Sequence, residues 1–348
     1  MQHEESRVFM SMEIKKAVTF RASSIGDSLM AKYFLENIHA MHPNARCILL
    51  VAGKGDMVRD LLGAYPWIEI IEANMRHPMT IVKAFKECYQ SDCTVTQYSG
   101  RGQFGTGSKI FARLITKKGG LTGFADAWPF NRFLYDKPLP FDSRRALRLH
   151  ERDALRSLGV EPVIPRLTLK YLPGNLLLER LNLRSSDYIV LNLFSGTAKR
   201  GLALDHQIRI ARALQETYGA RKKIVLTGGP ADESLVLQIC EAVPALYAAR
   251  SLSMQELITL VAESAGTVSL DTGVAHIAAQ TSTPLVVLRT CWGYNWWNED
   301  QYPGDSIHVL SHDELCMRGH LNKDFPDCLG AITNEEVMQA ISAVFKYM

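Results

Sequence analysis

Short β-branched runs alternate with amphipathic stretches along most of this chain. Apolar runs at Ala17–Arg21, Arg46–Val51, Ile68–Ile71 and Cys93–Gln97 predict strands. Between them, Asp27–Ala40, Met57–Ala64, Thr80–Tyr89 and Lys109–Lys117 carry apolar residues at helical spacing. Residues 121–141 are rich in proline and aromatics and predict irregular backbone, after which Arg144–Leu158 returns to helix. Pro162, Pro165 and Pro173 mark residues 159–175 as a linker region.

A second series follows. Strands are expected at Tyr188–Phe194, Lys223–Thr227, Leu246–Ala248, Thr267–Leu270 and Leu285–Leu288. Helices are expected at His206–Tyr218, Glu233–Ala242, Met254–Ser264 and Thr272–Gln280. The last helix, Asn334–Tyr347, opens on a capping box of Thr333 and Glu336. Strands alternating with helices predict parallel sheets with right-handed crossovers. Two such series around a proline-rich joint predict an α/β protein of two Rossmann-like domains facing a cleft. Ligands of such sheets bind at the carboxyl ends of the strands, so chemistry is sought in the strand-to-helix turns.

Composition narrows the field without choosing a function. At 348 residues, with 47% hydrophobic and 22% charged residues, the chain is neither disordered nor fibrous. A net charge of +3 does not suggest a nucleic-acid binder. The first sixteen residues hold no apolar core, so no signal peptide is expected, and no apolar run is long enough for a membrane span. Seven scattered cysteines without a CxxC pair argue against a disulfide framework and point to a reducing cytoplasm. Cys316 and Cys328 alone are placed where pairing or metal binding would be conceivable.

Four turns carry candidate chemistry. Arg21-Ala22-Ser23-Ser24-Ile25-Gly26-Asp27 closes the first strand and opens the first helix, where Asp27 is either a helix cap or a general base. Ser269-Leu270-Asp271-Thr272-Gly273-Val274-Ala275-His276 brings a strand end to the start of an apolar helix, whose free N–H groups suit a diphosphate. Lys199 and Arg200 follow a strong strand and suit a departing diphosphate. Gly228-Gly229-Pro230-Ala231-Asp232-Glu233 is a turn whose acids either favour a helix start or hold ribose hydroxyls. Residues 94–125 contain Arg101, Lys109, Arg113, Lys117 and Lys118 but no acid, a block that faces either water, an acidic acceptor or phospholipid headgroups. The loop of Trp292, Tyr294, Trp296, Trp297 and Tyr302 reads as packing first and as a stacking platform second.

Other signals are discounted. Gly100-x-Gly102-x-x-Gly105 lies outside the first strand–helix–strand unit, where a dinucleotide fingerprint belongs. HExxH, GxSxG and DxD are absent, and the last absence favours diphosphate stabilisation by cations and helix dipoles over a bridging metal.

In order and spacing, Arg21-x-Ser23-Ser24-Ile25-Gly26-Asp27, Lys199-Arg200, Gly228-Gly229-Pro230-Ala231-Asp232-Glu233 and Asp271-Thr272-Gly273-x-Ala275-His276 resemble the ADP-heptose:lipopolysaccharide heptosyltransferases, glycosyltransferase family 9. The resemblance implies a GT-B fold, with an acceptor domain over residues 1–170, a nucleotide-sugar domain over 171–332 and a C-terminal helix, 333–348, able to cross back to the first domain. It implies inverting transfer with no metal and no cofactor, from an ADP-sugar donor to an acidic lipid-linked oligosaccharide of the lipopolysaccharide core. It implies Asp27 as general base. Lys199, Arg200, Asp271, Thr272, Gly273 and His276 would hold the nucleotide diphosphate, and Asp232 or Glu233 the ribose. Ser23, Ser24, Gly26, Arg101, Lys109 and Arg113 would line the acceptor side. The expected location is cytoplasmic, with peripheral contact at the inner membrane. The family often reads Lys-Arg-Trp-Pro where this chain has Lys199-Arg200-Gly201-Leu202, which leaves the donor sugar open. A nucleotide-sugar epimerase or hydrolase, and a non-enzymatic sugar- or protein-binding relative, are the competing readings.

Overall fold

The computed structural model describes residues 13–21, 24–96, 106–125, 129–171, 175–304, 306–316 and 324–345. The chain divides into two compact units, Met1–Pro165 and Arg166–Met348. The first contains β1 (Lys16–Arg21), α1 (Ile25–Met41), β2 (Arg46–Val51), α2 (Gly55–Leu61), β3 (Ile68–Glu72), α3 (Pro78–Cys88), β4 (Cys93–Val95), α4 (Thr106–Ile115), β5 (Leu121–Ala125), β6 (Lys137–Pro140) and α5 (Leu147–Ser157). Its sheet runs in the order β3-β2-β1-β4-β5-β6, all parallel. The order reverses between β1 and β4. Strands covered by helices on both faces read as continuous apolar runs, and β1 and β2 are buried after their first residue.

α1 is buried on most sides because it lies under the sheet and against α5. Its Asn37 accepts hydrogen bonds from the amides of Val163 and Ile164 at 2.8 and 2.9 Å, pinning the end of the first unit onto the helix. Lys32 is buried there too. It pairs with Glu36 at 2.7 Å and sits 5.0 Å over the Tyr65 ring, so its charge is answered by its own helix and by a π face.

The second unit contains α6 (Asn175–Arg180), β7 (Tyr188–Asn192), α7 (Leu204–Tyr218), β8 (Lys223–Thr227), α8 (Glu233–Ala242), β9 (Tyr247–Ala249), α9 (Met254–Ala262), β10 (Gly266–Leu270), α10 (Gly273–Gln280), β11 (Leu285–Leu288), α11 (Tyr294–Trp297), β12 (Ile307–Leu310), α12 (Asp327–Gly330) and α13 (Asn334–Val344). Its parallel sheet runs β12-β11-β10-β7-β8-β9, reversing between β7 and β10.

Three expectations differ from what is seen. Residues 121–141, expected to be irregular, hold β5 and the edge strand β6, which reads Lys-Pro-Leu-Pro. Proline lacks an N–H donor, and only an edge position tolerates two of them. The units divide between 165 and 166, earlier than the expected 170/171. The Leu169 amide donates to the Gln280 carbonyl at 2.8 Å, within the second unit. The C-terminal helix, 333–348, was read as able to cross back to the first domain. Its apolar face, Val337, Ala340, Ile341 and Val344, instead enters the core of the second unit with Leu214, Val286 and Leu288. The capping box is as read: Thr333 Oγ1 accepts from the Glu336 amide at 3.2 Å and Glu336 Oε2 from the Thr333 amide at 2.7 Å. All seven cysteines, Cys316 and Cys328 included, are free thiols.

Candidate active site

In the second unit the candidate residues gather at the switch between β7 and β10. β10 ends at Leu270, Asp271 follows, and Thr272 caps α10. The first N–H groups of α10 have no intrahelical acceptor and lie at the positive end of its dipole. Thr272 Oγ1 donates to Asn192 Oδ1 at 3.2 Å, while Asn192 Nδ2 donates to the Thr227 carbonyl at 2.8 Å. Asn192 thus ties the ends of β7, β8 and β10 together.

Asp271 is fixed from two sides. Trp297 Nε1 donates to its Oδ1 at 2.8 Å, and His276 Nε2 lies 3.8 Å from the same oxygen. A Cβ on Gly293 would stand 2.5 Å from Asp271 Oδ2, so the loop approaches the carboxylate only because that residue has no side chain.

His276 differs from its expected role. It is 5% exposed, stacked on Trp297 with centroids 4.7 Å apart and planes at 9°, and flanked by Trp296 at 4.8 Å. Its Nδ1 meets the Tyr302 hydroxyl at 3.1 Å. Burial pushes its pKa down to about 4; Asp271 opposes the shift and Arg200 adds to it. At neutral pH the imidazole is uncharged and enclosed by rings, which suits it to holding Asp271 and the loop rather than a diphosphate. The aromatic loop is therefore packing that also serves the site. Trp297 and Tyr302 gain their importance from contacts with Asp271 and His276, which their spacing in sequence does not reveal. Asn192 went unread in the sequence; its one signal is an amide ending an otherwise apolar strand.

Lys199 and Arg200 lie exposed in a short 3-10 turn after β7. The two acids after β8 separate in role. Asp232 Oδ2 accepts from the Gly229 amide at 2.8 Å and closes its own turn. Glu233 is exposed and accepts from Ser251 Oγ at 3.2 Å. Of the two, Glu233 is the one whose carboxylate lies outside its own turn.

In the first unit, Ser24 caps α1. Its hydroxyl accepts from the Asp27 amide at 3.2 Å and donates to Asp27 Oδ2 at 2.7 Å. Gly26 is buried and Asp27 half-buried. Beneath this turn Arg21, fully buried, pairs with Glu151 of α5 and donates to the Phe20 carbonyl at 2.7 Å. Ser23 and Arg101 lie outside the described residues.

Two cations of the basic block meet acids in space. Arg113 pairs with Asp136 at 2.8 Å and Lys117 with Asp92 at 2.5 Å. Lys109 is 1% exposed, its ammonium 6.0 Å over the Tyr135 ring. Acids remote in sequence thus answer two charges that stand alone in the local count, and Lys109 lies buried against a ring. Beside these residues a cavity of about 680 Å³, lined by Phe20, Leu50, Ala73, Met75, Ile81 and Phe111 among others, opens at the carboxyl ends of β1 to β3.

Two parallel, doubly wound α/β units make up the GT-B fold. Residues 205–290 match the family model of glycosyltransferase family 9 (heptosyltransferase). A crystal structure of a family 9 glycosyltransferase from Veillonella parvula superposes with a TM-score of 0.73 at 17% identity, covering 97% of this chain and 99% of that one. The Escherichia coli heptosyltransferase WaaC with ADP-2-deoxy-2-fluoro heptose gives 0.65 at 16% identity, covering 94% and 99%. Lipopolysaccharide heptosyltransferase 3 of Escherichia coli is 24% identical over 152 residues, a match spanning 41% of this chain and 44% of that relative. The chain thus resembles glycosyltransferase family 9 in sequence over residues 205–290 and in fold over nearly its whole length.

Proposed function

We propose that this protein transfers heptose from ADP-heptose to a lipopolysaccharide core acceptor, with inversion and without a metal. The observation that carries the reading is the Asp271-Thr272-Gly273 turn, which presents the N-terminus of α10 at the switch between β7 and β10. A diphosphate placed there meets oriented N–H groups and the macrodipole. Lys199 and Arg200 add the positive charge that a departing ADP needs, and Glu233 takes the ribose. Asp27 is the general base. Its carboxylate removes the proton of an acceptor hydroxyl as that oxygen forms its bond to the anomeric carbon. The bond from that carbon to the ADP oxygen breaks on the opposite face, and ADP leaves with the electron pair. The Ser24 hydroxyl fixes the orientation of the base.

Support also comes from relatives: the family model is of heptosyltransferases, and a structural neighbour is a heptosyltransferase with a bound ADP-heptose analogue. The acceptor in this reading is acidic and lipid-linked, reached from the cytoplasmic face of the inner membrane. The test is Asp27→Asn assayed for ADP-heptose transfer and, separately, for ADP-dependent thermal stabilisation. The variant is expected to keep the ADP shift and to lose transfer by about 10²–10⁴-fold, the usual contribution of a general base. Near-normal turnover would overturn the base assignment. ADP release that needs no acceptor would turn the reading towards hydrolysis.

A further inference from the structure

We propose that the outer face of α3 and α4 is a membrane-interface surface that seats on an anionic lipid bilayer. The proposal deepens the reading of a lipid-linked acceptor by assigning the part of the molecule that meets the membrane. α3 and α4 cover the same side of the first sheet. Ala84 and Cys88 of α3 and Ala112 and Ile115 of α4 enter one core with Phe20 and Leu50, and the Phe85 and Phe111 rings meet edge-on at 6.0 Å.

With their inner faces occupied, both helices still present large apolar residues outward. Met79 is 77% and Val82 47% exposed on α3; Ile110 is 46% and Leu114 60% exposed on α4. Met75 just before α3 and Phe133 in the 3-10 turn against α4 extend the surface, at 83% and 74%. Singly exposed apolar residues are ordinary, but six around two neighbouring helices form a patch of the kind that marks an interaction site.

The charge on this surface points to the partner. Lys83 and Lys86 follow Met79 and Val82 on the exposed face of α3, and Lys118 follows Leu114 just beyond α4. Arg132 lies 5.2 Å from the Phe133 ring. Residues 75–86 and 106–118 contain no Asp or Glu. Two acids close to these segments in sequence are already paired, Glu87 with Arg46 at 2.5 Å and Asp136 with Arg113 of α4 at 2.8 Å. Apolar side chains flanked by long cationic ones, with no carboxylate within either helical segment, match a bilayer interface: the apolar groups enter the acyl boundary and the lysines reach the phosphates.

The test is co-sedimentation of the full chain with vesicles of equimolar phosphatidylcholine and phosphatidylglycerol, and with phosphatidylcholine alone. Binding is expected to the anionic vesicles only, weakening with added salt. Each lysine near such a surface contributes about fivefold, so Lys83→Gln/Lys86→Gln is expected to bind about 25-fold more weakly. Met79→Ser/Leu114→Ser is expected to lose binding in the same assay. Both variants should keep the ADP-induced thermal shift, which shows them folded. Failure of the wild-type chain to bind, or binding by both variants equal to wild type, would overturn the proposal. A dimer in light scattering that either variant converts to monomer would also overturn it, assigning the face to a second copy. Vesicle binding without heptose transfer would strike the transferase reading and leave this one standing.

Discussion

Acidification should expose His276 as a buried titration in the second unit. In the unfolded chain an imidazole binds its proton below about 6.5. In the folded protein His276 does so only below about 4, because burial among Trp296, Trp297 and Tyr302 disfavours the charged form. Asp271 pulls the other way and Arg200 adds to the burial effect. The stability that belongs to the neutral imidazole is therefore complete above pH 6.5 and lost progressively as the pH falls towards 4. At about 1.36 kcal/mol per unit, the difference between 6.5 and about 4 corresponds to roughly 3 kcal/mol. His276→Gln removes the titration without adding charge. The assay is urea unfolding of wild type and variant at steps from pH 7 to pH 4, with the difference between the two curves isolating this proton from those of His150 and His206. A second readout is the imidazole C2–H resonance followed by NMR through the same range. A difference curve flat between pH 6.5 and 4, or a resonance titrating near 6.5, would refute the buried, neutral histidine. It would also restore His276 as a cation available to a diphosphate.

The remaining predictions concern named contacts. Trp297→Phe keeps a ring against His276 but removes the donor to Asp271; a hydrogen bond to a charged group is worth about 1.5–3 kcal/mol, so donor affinity or second-unit stability should fall by about tenfold or more, read by ADP titration and urea unfolding. Glu151→Ala leaves the buried Arg21 guanidinium without its carboxylate partner and should destabilise the first unit by about 3–5 kcal/mol, seen as a lowered urea midpoint. Gly266→Ala places a Cβ 2.4 Å from the Phe345 ring and should push the end of the C-terminal segment off β10, at about 1–3 kcal/mol by thermal unfolding.

The alternation of apolar strands and amphipathic helices was enough to read two parallel α/β units, because strands buried on both faces leave an unbroken apolar trace. Turn chemistry was equally legible: Ser24 ahead of Asp27 and Thr333 with Glu336 are caps whose partners lie within a few residues. Local sequence could assign no partner that arrives from far along the chain. Arg113 and Lys117 read as an uncompensated basic block until Asp136 and Asp92 came to meet them. His276 read as a phosphate ligand, since its spacing from Asp271 was visible and the closing of Trp297 and Tyr302 over it was not. β6 was hidden by its prolines, and the C-terminal helix carried an apolar face whose destination periodicity does not encode. Periodicity and capping are short-range and survive in one dimension. Burial, and the charge state that burial sets, depend on which distant segments pack together, and only the tertiary structure decides that.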